Sequence, residues 1–292
     1  MNDFIDQTNQ RTLPADYRGD VLIWDIDKTY LDTHFSSLKG LVRIPLEWAL
    51  DKRTLPGSVP LIRALRRGPG RSSALTPLYF ISGSPKRMRS VIERKMSMDG
   101  VNYDGLTFKD QLGLVLALRP QDVSRQVGFK LQALLRYHRA FPPGVQYRLF
   151  GDDAEIDEVI FWMFQRIIEG HRGRELALEL RDHRVHDDDV QRILTLSGTL
   201  PVHDPSRVKG IYVIQHGRNA PRVDQPHIFR SSSFLTLAEV LRFQGALSND
   251  GVAAVRKDYQ LRGVSEYELD VATINARVLW EERKSEEPSK SA

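Results

Sequence analysis

Cysteine is absent from the 292 residues, which excludes disulfide frameworks, thiolate nucleophiles and cysteine-ligated metals. No apolar run approaches the roughly 18–20 residues needed to cross a bilayer. The polar start Met1-Asn2-Asp3-Phe4-Ile5-Asp6 has no basic segment leading into an apolar stretch, as a secretory leader would. There is no internal repeat. These absences read as a cytoplasmic chain. Charge of one sign is also scarce: the formal net charge is +4 and the pI about 9.2. With no aromatic-interleaved basic strand and no helix-turn-helix pattern, specific nucleic-acid binding is not expected. Arginines do gather at Arg63, Arg66, Arg67 and Arg71 and again at Arg87, Arg89 and Arg94. They read as a solvated face or as a basic rim suited to an anionic lipid headgroup, and hence to peripheral membrane contact.

The chain is 41% hydrophobic and 27% charged, enough apolar material for one large domain or one domain with an appendage. Five apolar runs, at about 21–25, 78–82, 105–108, 146–150 and 210–215, are mostly separated by helical patterns such as Ser58 to Arg67. This alternation predicts an α/β fold with a doubly wound, parallel, five-stranded sheet whose active site lies at the carboxyl ends of the strands. The organisation predicted is a polar lead-in over 1–19 and a main domain over 20–230. That domain carries a small insertion at about 33–56 and a helical insertion at about 167–208. A C-terminal helical extension over 231–280 and a disordered tail over 281–292 follow. A further insertion at 109–128 holds the apolar run Leu112 to Leu118, read as a short helix or strand over the sheet edge. In the insertion at 167–208, His183, His186 and Asp187-Asp188-Asp189 raise a second metal site; capping of the following helix is the preferred reading.

The chemistry-bearing residues fall at the ends of these strands. Asp25-Ile26-Asp27-Lys28-Thr29 follows Val21-Leu22-Ile23-Trp24, so two carboxylates two residues apart stand where a buried strand leaves the sheet. There they can converge on a metal and a phosphoryl group, one attacking and the other handling protons. Leu78-Tyr79-Phe80-Ile81 runs into Ser82-Gly83-Ser84-Pro85, a small-residue turn with proline at a predicted first helical position, offering a hydroxyl and backbone N–H groups to an anion. Lys130 opens the amphipathic segment through Leu131, Leu134, Leu135 and His138, and a lysine at a helix start is electrostatically misplaced unless an anion lies nearby. Phe150-Gly151-Asp152-Asp153-Ala154-Glu155-Ile156-Asp157 is a strand end followed by an acidic turn. Within it Asp152 reads as a metal ligand and Asp157 as its support, while Asp153 and Glu155 are equally well placed as acids at a helix N-terminus.

Asp-x-Asp-x-Thr, a strand-end serine, a lone lysine and Gly-Asp-x-x-x-x-Asp in this order resemble the haloacid dehalogenase-like phosphatase superfamily. The resemblance implies that Asp25 is the nucleophile of an aspartyl-phosphate mechanism and Asp27 the general acid and base. Thr29, Ser82, Gly83 and Lys130 would then hold the phosphate, and Mg2+ would be bound by Asp25, the backbone carbonyl of Asp27, and Asp152. It also implies that the first strand lies between the second and the fourth. Asp25-Ile26-Asp27-x-Thr29-x-x-Asp32-Thr33, Phe80 to Pro85 and Phe150-Gly151-Asp152 are similar, more narrowly, to the catalytic domain of actin-patch-type phosphatidate phosphatases. That pattern usually carries Asp where Lys28 stands, Trp where Lys86 stands and Ser-Gly where Asp153-Ala154 stand. The function so implied is Mg-dependent hydrolysis of a phosphomonoester, phosphatidate included. The alternatives are a phosphatase of a nucleic-acid end or phosphoprotein, and a non-catalytic phosphate-binding scaffold.

Overall fold

A computed structural model describes residues 5–32, 53–70, 74–110, 123–202, 207–217 and 221–286. In chain order its elements are β1 (Ile5–Asn9), β2 (Asp20–Asp25), α1 (Ser58–Arg67), β3 (Leu78–Pro85), α2 (Arg89–Met98), β4 (Gly105–Lys109), α3 (Val123–Ala140) and β5 (Gln146–Asp152). There follow α4 (Asp157–Ile168), α5 (Gly173–Asp182), α6 (Asp187–Gly198), β6 (Val208–Ile214), β7 (Ile228–Ser231), α7 (Phe234–Phe243), α8 (Asn249–Leu261) and α9 (Glu266–Glu286). The strands form one sheet in the order β1-β4-β3-β2-β5-β6-β7. All neighbours run parallel except β1, which pairs antiparallel with β4 at one edge. The fold is α/β with a mostly parallel sheet, and β2 lies between β3 and β5, the placement that the resemblance implies.

The sheet is wider than the five strands predicted. The segment predicted as a polar lead-in supplies β1, whose sequence Ile-Asp-Gln-Thr-Asn is too polar to register as a strand. It pairs because Gly105 lets it come close: a Cβ there would stand 2.6 Å from the Thr8 carbonyl oxygen and 2.5 Å from the Tyr79 ring. Only four residues long, β7 completes the other edge. Of the tail predicted from residue 281, residues 281–286 belong instead to α9, and 287–292 lie outside the described residues. The insertion predicted at 109–128 lies outside the described residues over 111–122, and from Val123 onward it is already part of α3. Residues 33–52 of the first insertion likewise lie outside the described residues. In the insertion predicted over 167–208, α5 and α6 are both helical, and Asp187, Asp188 and Asp189 occupy the first turn of α6.

Parallel strands buried on both faces need apolar residues at every position, and β2 shows why. Val21 and Ile23 face a core built with α3 to α6, while Leu22 and Trp24 face one built with α1, α2 and α7 to α9. On the second face a row of aromatic rings crosses four strands in register. Trp24 pairs with Phe150, Phe150 with Tyr212 and Tyr212 with Phe229, with ring centroids 4.1, 4.7 and 5.6 Å apart and planes within 17° of parallel. Each such contact contributes about 0.5–1.5 kcal/mol beyond area burial. A one-residue slip of any strand would turn its ring to the opposite face. The row therefore fixes the register one residue before Asp25 and two before Asp152.

Candidate active site

Past Asp25 the backbone folds back on itself. The N–H groups of Tyr30 and Leu31 donate to the Ile26 carbonyl at 3.0 and 2.9 Å, and the Lys28 N–H donates to the Leu31 carbonyl at 2.8 Å. Lys28 is left-handed, with φ 61°, a conformation that costs a residue other than glycine about 1–2 kcal/mol. His216, just beyond β6, helps to hold it there: its Nε2 lies 2.7 Å from the Lys28 carbonyl oxygen. A carbonyl only accepts, so Nε2 carries the proton.

The reversal returns Asp27 and Thr29 to the strand end. Asp27 Oδ2 accepts hydrogen bonds from Ser82 Oγ at 2.8 Å and Ser84 Oγ at 2.9 Å, while the Ser84 N–H donates to Ser82 Oγ at 3.1 Å. Thr29 Oγ1 donates to Asp152 Oδ2 at 3.4 Å. The predicted turn after Ser82 is instead a continuation of β3 to Pro85 with an irregular register. Pro85 is extended and precedes a short 3-10 turn over Lys86–Met88, so it does not occupy the first position of α2. Ser82 and Ser84 thereby project from one strand end onto the same carboxylate. Gly83 between them lies under Gln126, whose side-chain amide atoms would stand 2.6 Å from a Cβ at that position.

Lys130 does not open a helix. It stands inside α3, which begins at Val123, so the expected conflict with the helix dipole does not arise. Its burial is the informative feature: the side chain is 1% exposed. Its ammonium lies 2.7 Å from Asp25 Oδ1 and 2.8 Å from Glu155 Oε2, and it donates a hydrogen bond to Asp157 Oδ1.

Asp152 ends β5, and its Oδ1 accepts from the N–H groups of Ala154 and Glu155 at 2.6 and 2.7 Å, which shapes the acidic turn. Asp157 opens α4 and turns back beneath the strand, where its Oδ2 accepts from the Asp152 N–H at 3.3 Å. Glycine is required at 151, since a Cβ would come within 2.5 Å of Asp157 Cβ. Asp153 points elsewhere: its Oδ1 accepts from the His216 N–H at 2.6 Å, tying the turn to β6. The structure thus brings Asp25, Lys130, Asp152 and Asp157 into one cluster, joins Asp27 to Ser82, links Thr29 to Asp152, and sets Asp153 to the side.

Four buried carboxyl groups face one ammonium. Burial, followed by the Asp157 and Glu155 charges, pushes Asp25 and Asp152 well above the usual carboxylate range, with Lys130 opposing the rise. Glu155 is raised by burial too, and Lys130 again opposes. Burial alone would lower Lys130, but Asp157, Asp25 and Glu155 together lift it well above the ordinary lysine value.

Such an excess of carboxylates invites a cation. Ligand atoms of Asp25, Asp152 and Asp157 lie within 4.8 Å of one another. Although Asp25 faces Lys130, neither of its oxygens has an aligned hydrogen-bond donor. An all-oxygen donor set of this kind fits a hard divalent ion such as Mg2+.

Three contributors were not singled out in the sequence. Ser84 carried a signal, sitting two residues from Ser82 on a strand, the spacing that returns a side chain to the same face. Glu155 resembled a helix-terminal acid, and only the fold shows that it meets Lys130. Nothing near His216 marks it. The basic rim also changes: Arg66 is buried and bidentate on Asp104, and Arg89 bonds to Asp6 and stands over Phe108. Neither is available to a ligand at Ser82, and Arg71 lies outside the described residues.

No family model matches the sequence, and no curated protein matches it. Among solved structures, one from Mesorhizobium loti described as a "putative had-like phosphatase" aligns over 87% of this chain and 93% of its own, at 13% identity and a TM-score of 0.39. That likeness is too slight to support an assignment. The functional reading rests on the site.

Proposed function

We propose that this chain is a phosphomonoester hydrolase of the haloacid dehalogenase-like kind, with Asp25 as nucleophile. The observation that carries the reading is the Asp25 carboxylate itself: buried at the end of the central strand, paired with Lys130, and lacking an aligned donor on either oxygen. A carboxylate held by N–H donors is a structural group; this one is left with lone pairs directed at whatever enters the site.

In this scheme Asp25 attacks phosphorus and the phosphorus–oxygen bond to the leaving alcohol breaks. Asp27, protonated, gives its proton to that alcohol. Asp27 then takes a proton from the water that hydrolyses the aspartyl-phosphate and regenerates Asp25. Ser82 and Ser84 fix the carboxyl of Asp27 from one side, which orients its other oxygen for proton transfer. Lys130 offsets the negative charge where anionic substrate meets carboxylate. Mg2+, held by Asp25, Asp152 and the Asp27 carbonyl with Asp157 in support, would supply Lewis-acid charge neutralisation at the phosphoryl oxygens.

A phosphate-binding scaffold is disfavoured on electrostatic grounds, since a site built only to hold an anion gains nothing from several buried carboxyl groups that repel it. Among the described residues no helix is long and apolar enough to cross a membrane, so phosphatidate, the substrate that the sequence resemblance implies, would be met at a bilayer surface. The test is hydrolysis of a panel with Mg2+: phosphatidate in vesicles, sugar phosphates, a nucleotide, a 5′-phosphorylated oligonucleotide, a phosphopeptide and an aryl phosphate. Asp25→Asn should lower turnover of every good substrate by three orders of magnitude or more, about 4 kcal/mol. Near wild-type turnover by Asp25→Asn would overturn the mechanism, and no turnover of any compound by the native protein would overturn the enzyme.

A further inference from the structure

At the opposite end of the sheet from Asp25 lies a pocket of about 200 Å3 that the catalytic reading leaves unused. Arg148, Lys209, His227, Trp280, Arg283 and Lys284 are among the residues that line it. Its position follows from the strands. Arg148 and Lys209 lie in the opening residues of β5 and β6, and His227 directly precedes β7, whereas Asp152 closes β5. Asp152 lies four positions along β5 from Arg148, roughly 13 Å at the usual rise. A ligand here does not reach the nucleophile.

The wall chemistry has one sign. Arg148, buried at 7% exposure, is anchored by Asp20 at 2.6 Å and by Gln244 at 2.7 Å. Arg283 is paired at 3.1 Å with Asp224, whose side chain is 92% exposed. Lys209 and Lys284 have no ion-pair partner among the described residues. Among the described residues no carboxylate lines the pocket. The Trp280 and Phe229 rings, 6.3 Å apart and stacked, form an apolar side. Concentrating four cations around a small concavity without acids in its wall raises self-repulsion that an entering anion relieves. Arginine and lysine together also present the donors that phosphoryl oxygens accept.

We infer that the pocket between the starts of β5, β6 and β7 and the end of α9 is a second, non-catalytic site for a small phosphate-class anion, either inorganic phosphate or the phosphoryl group of a small metabolite. The site is independent of the hydrolase reading, because no residue of the Asp25 cluster contributes to it. Its occupant acts as an effector or stabiliser and is not the substrate.

His227 reports on this pocket alone. Its Nε2 lies 2.7 Å from Gln165 Oε1, and burial, then the Arg283 charge, lowers its pKa to about 4. A bound phosphate beside it, singly charged in the pH range where His227 titrates, opposes the effect of Arg283 and moves the midpoint upward. The experiment follows the His227 ring by NMR during pH titration of the full chain, with inorganic phosphate or with chloride at matched ionic strength, in the native protein and in Lys209→Ala/Lys284→Ala. Both lysines lack ion-pair partners among the described residues, so the double variant keeps the fold, which its thermal melt verifies. The expected result is a rise of the His227 midpoint in phosphate but not in chloride. In the double variant the phosphate concentration needed should increase at least tenfold, while turnover of any substrate stays unchanged. Repeating the titration with glycerol 3-phosphate separates the two sources of the phosphoryl group: tighter binding than inorganic phosphate assigns a metabolite, and equal or weaker binding assigns the free ion. An equal shift in chloride, no shift, or the same phosphate dependence in the double variant would overturn the inference.

Discussion

Lys130→Met tests the electrostatic construction of the site without touching the groups proposed to react. Methionine keeps the length and apolar stem of lysine and removes only the ammonium. That ammonium is 2.7 Å from Asp25 and 2.8 Å from Glu155 and also bonds Asp157, with all of these side chains less than a tenth exposed. Breaking a buried pair by deleting one partner typically costs about 3–5 kcal/mol, because the remaining charge is uncompensated. Against a total stability of about 5–15 kcal/mol, that is a melting-point drop of roughly 6–20 °C at neutral pH. The pH dependence has a definite sign. Asp25, Asp152 and Glu155 have folded-state pKa values above their unfolded ones. Their contribution is therefore fully present below about pH 4 and is lost as pH rises through the raised values. Without Lys130 the carboxyls rise further, so the variant should approach the native protein in acid and separate from it toward neutrality. Divalent cation should restore the loss in part: Mg2+ at a hundred times its Kd adds about 2.7 kcal/mol. The assay is thermal or urea unfolding from pH 4 to 8, with chelator and with Mg2+. A variant that melts within two or so degrees of the native protein at pH 7 in chelator would refute the reasoning.

Asp27→Asn should retain far more activity on an aryl phosphate, whose leaving group needs no proton, than on an alkyl phosphate, and equal losses on both would remove Asp27 as the acid. Activity should vanish on chelation and return with Mg2+, while Ca2+, which takes more ligands at longer distances, supports it poorly. Asp152→Ala should reproduce the chelated state, and an unchanged Mg2+ requirement in that variant would show that Asp152 is not a ligand. Gly151→Ala should cost about 1–3 kcal/mol in urea unfolding, because its Cβ would stand 2.5 Å from Asp157 Cβ and 2.6 Å from Asp157 Oδ2. A neutral effect would mean that Asp157 is free to move.

The parts of this molecule that could be read from the sequence are those where one local pattern has one outcome. The apolar run Val21 to Trp24, short and rich in β-branched and aromatic side chains, reads as a buried strand, and the helix at Ser58 to Arg67 is periodic enough to place at both ends. Polar β1 could not be read that way, because its strand character comes from the partner offered by β4 and not from its own side chains. Lys130 was identified for a reason that does not hold: it has no place at a helix start, and what matters is that α3 carries it under the end of β2. Glu155 and His216 were beyond reach for the same reason, since each acts on a residue brought near only by tertiary structure. Arg66 shows the opposite error: its neighbours Arg63 and Arg67 are exposed as a solvated face would be, whereas the fold places Arg66 against Asp104 in the interior.

The in-register row of aromatic rings has a consequence for when function can appear during synthesis. Trp24 meets Phe150, and Phe150 meets Tyr212, so although β3 can cover one edge of the central strand early, its other edge waits for a partner more than a hundred positions downstream. Pairing so remote in sequence is slow to nucleate, because the chain must be confined before any contact rewards it. At about 5–20 residues per second of translation, Asp25 is exposed for several seconds or more before Asp152 exists. The nascent chain therefore carries an apolar strand with its β5 edge open and no working centre during that interval. Chaperone binding to the stretch from Val21 to Trp24 should be strongest then and should end once β5 has docked.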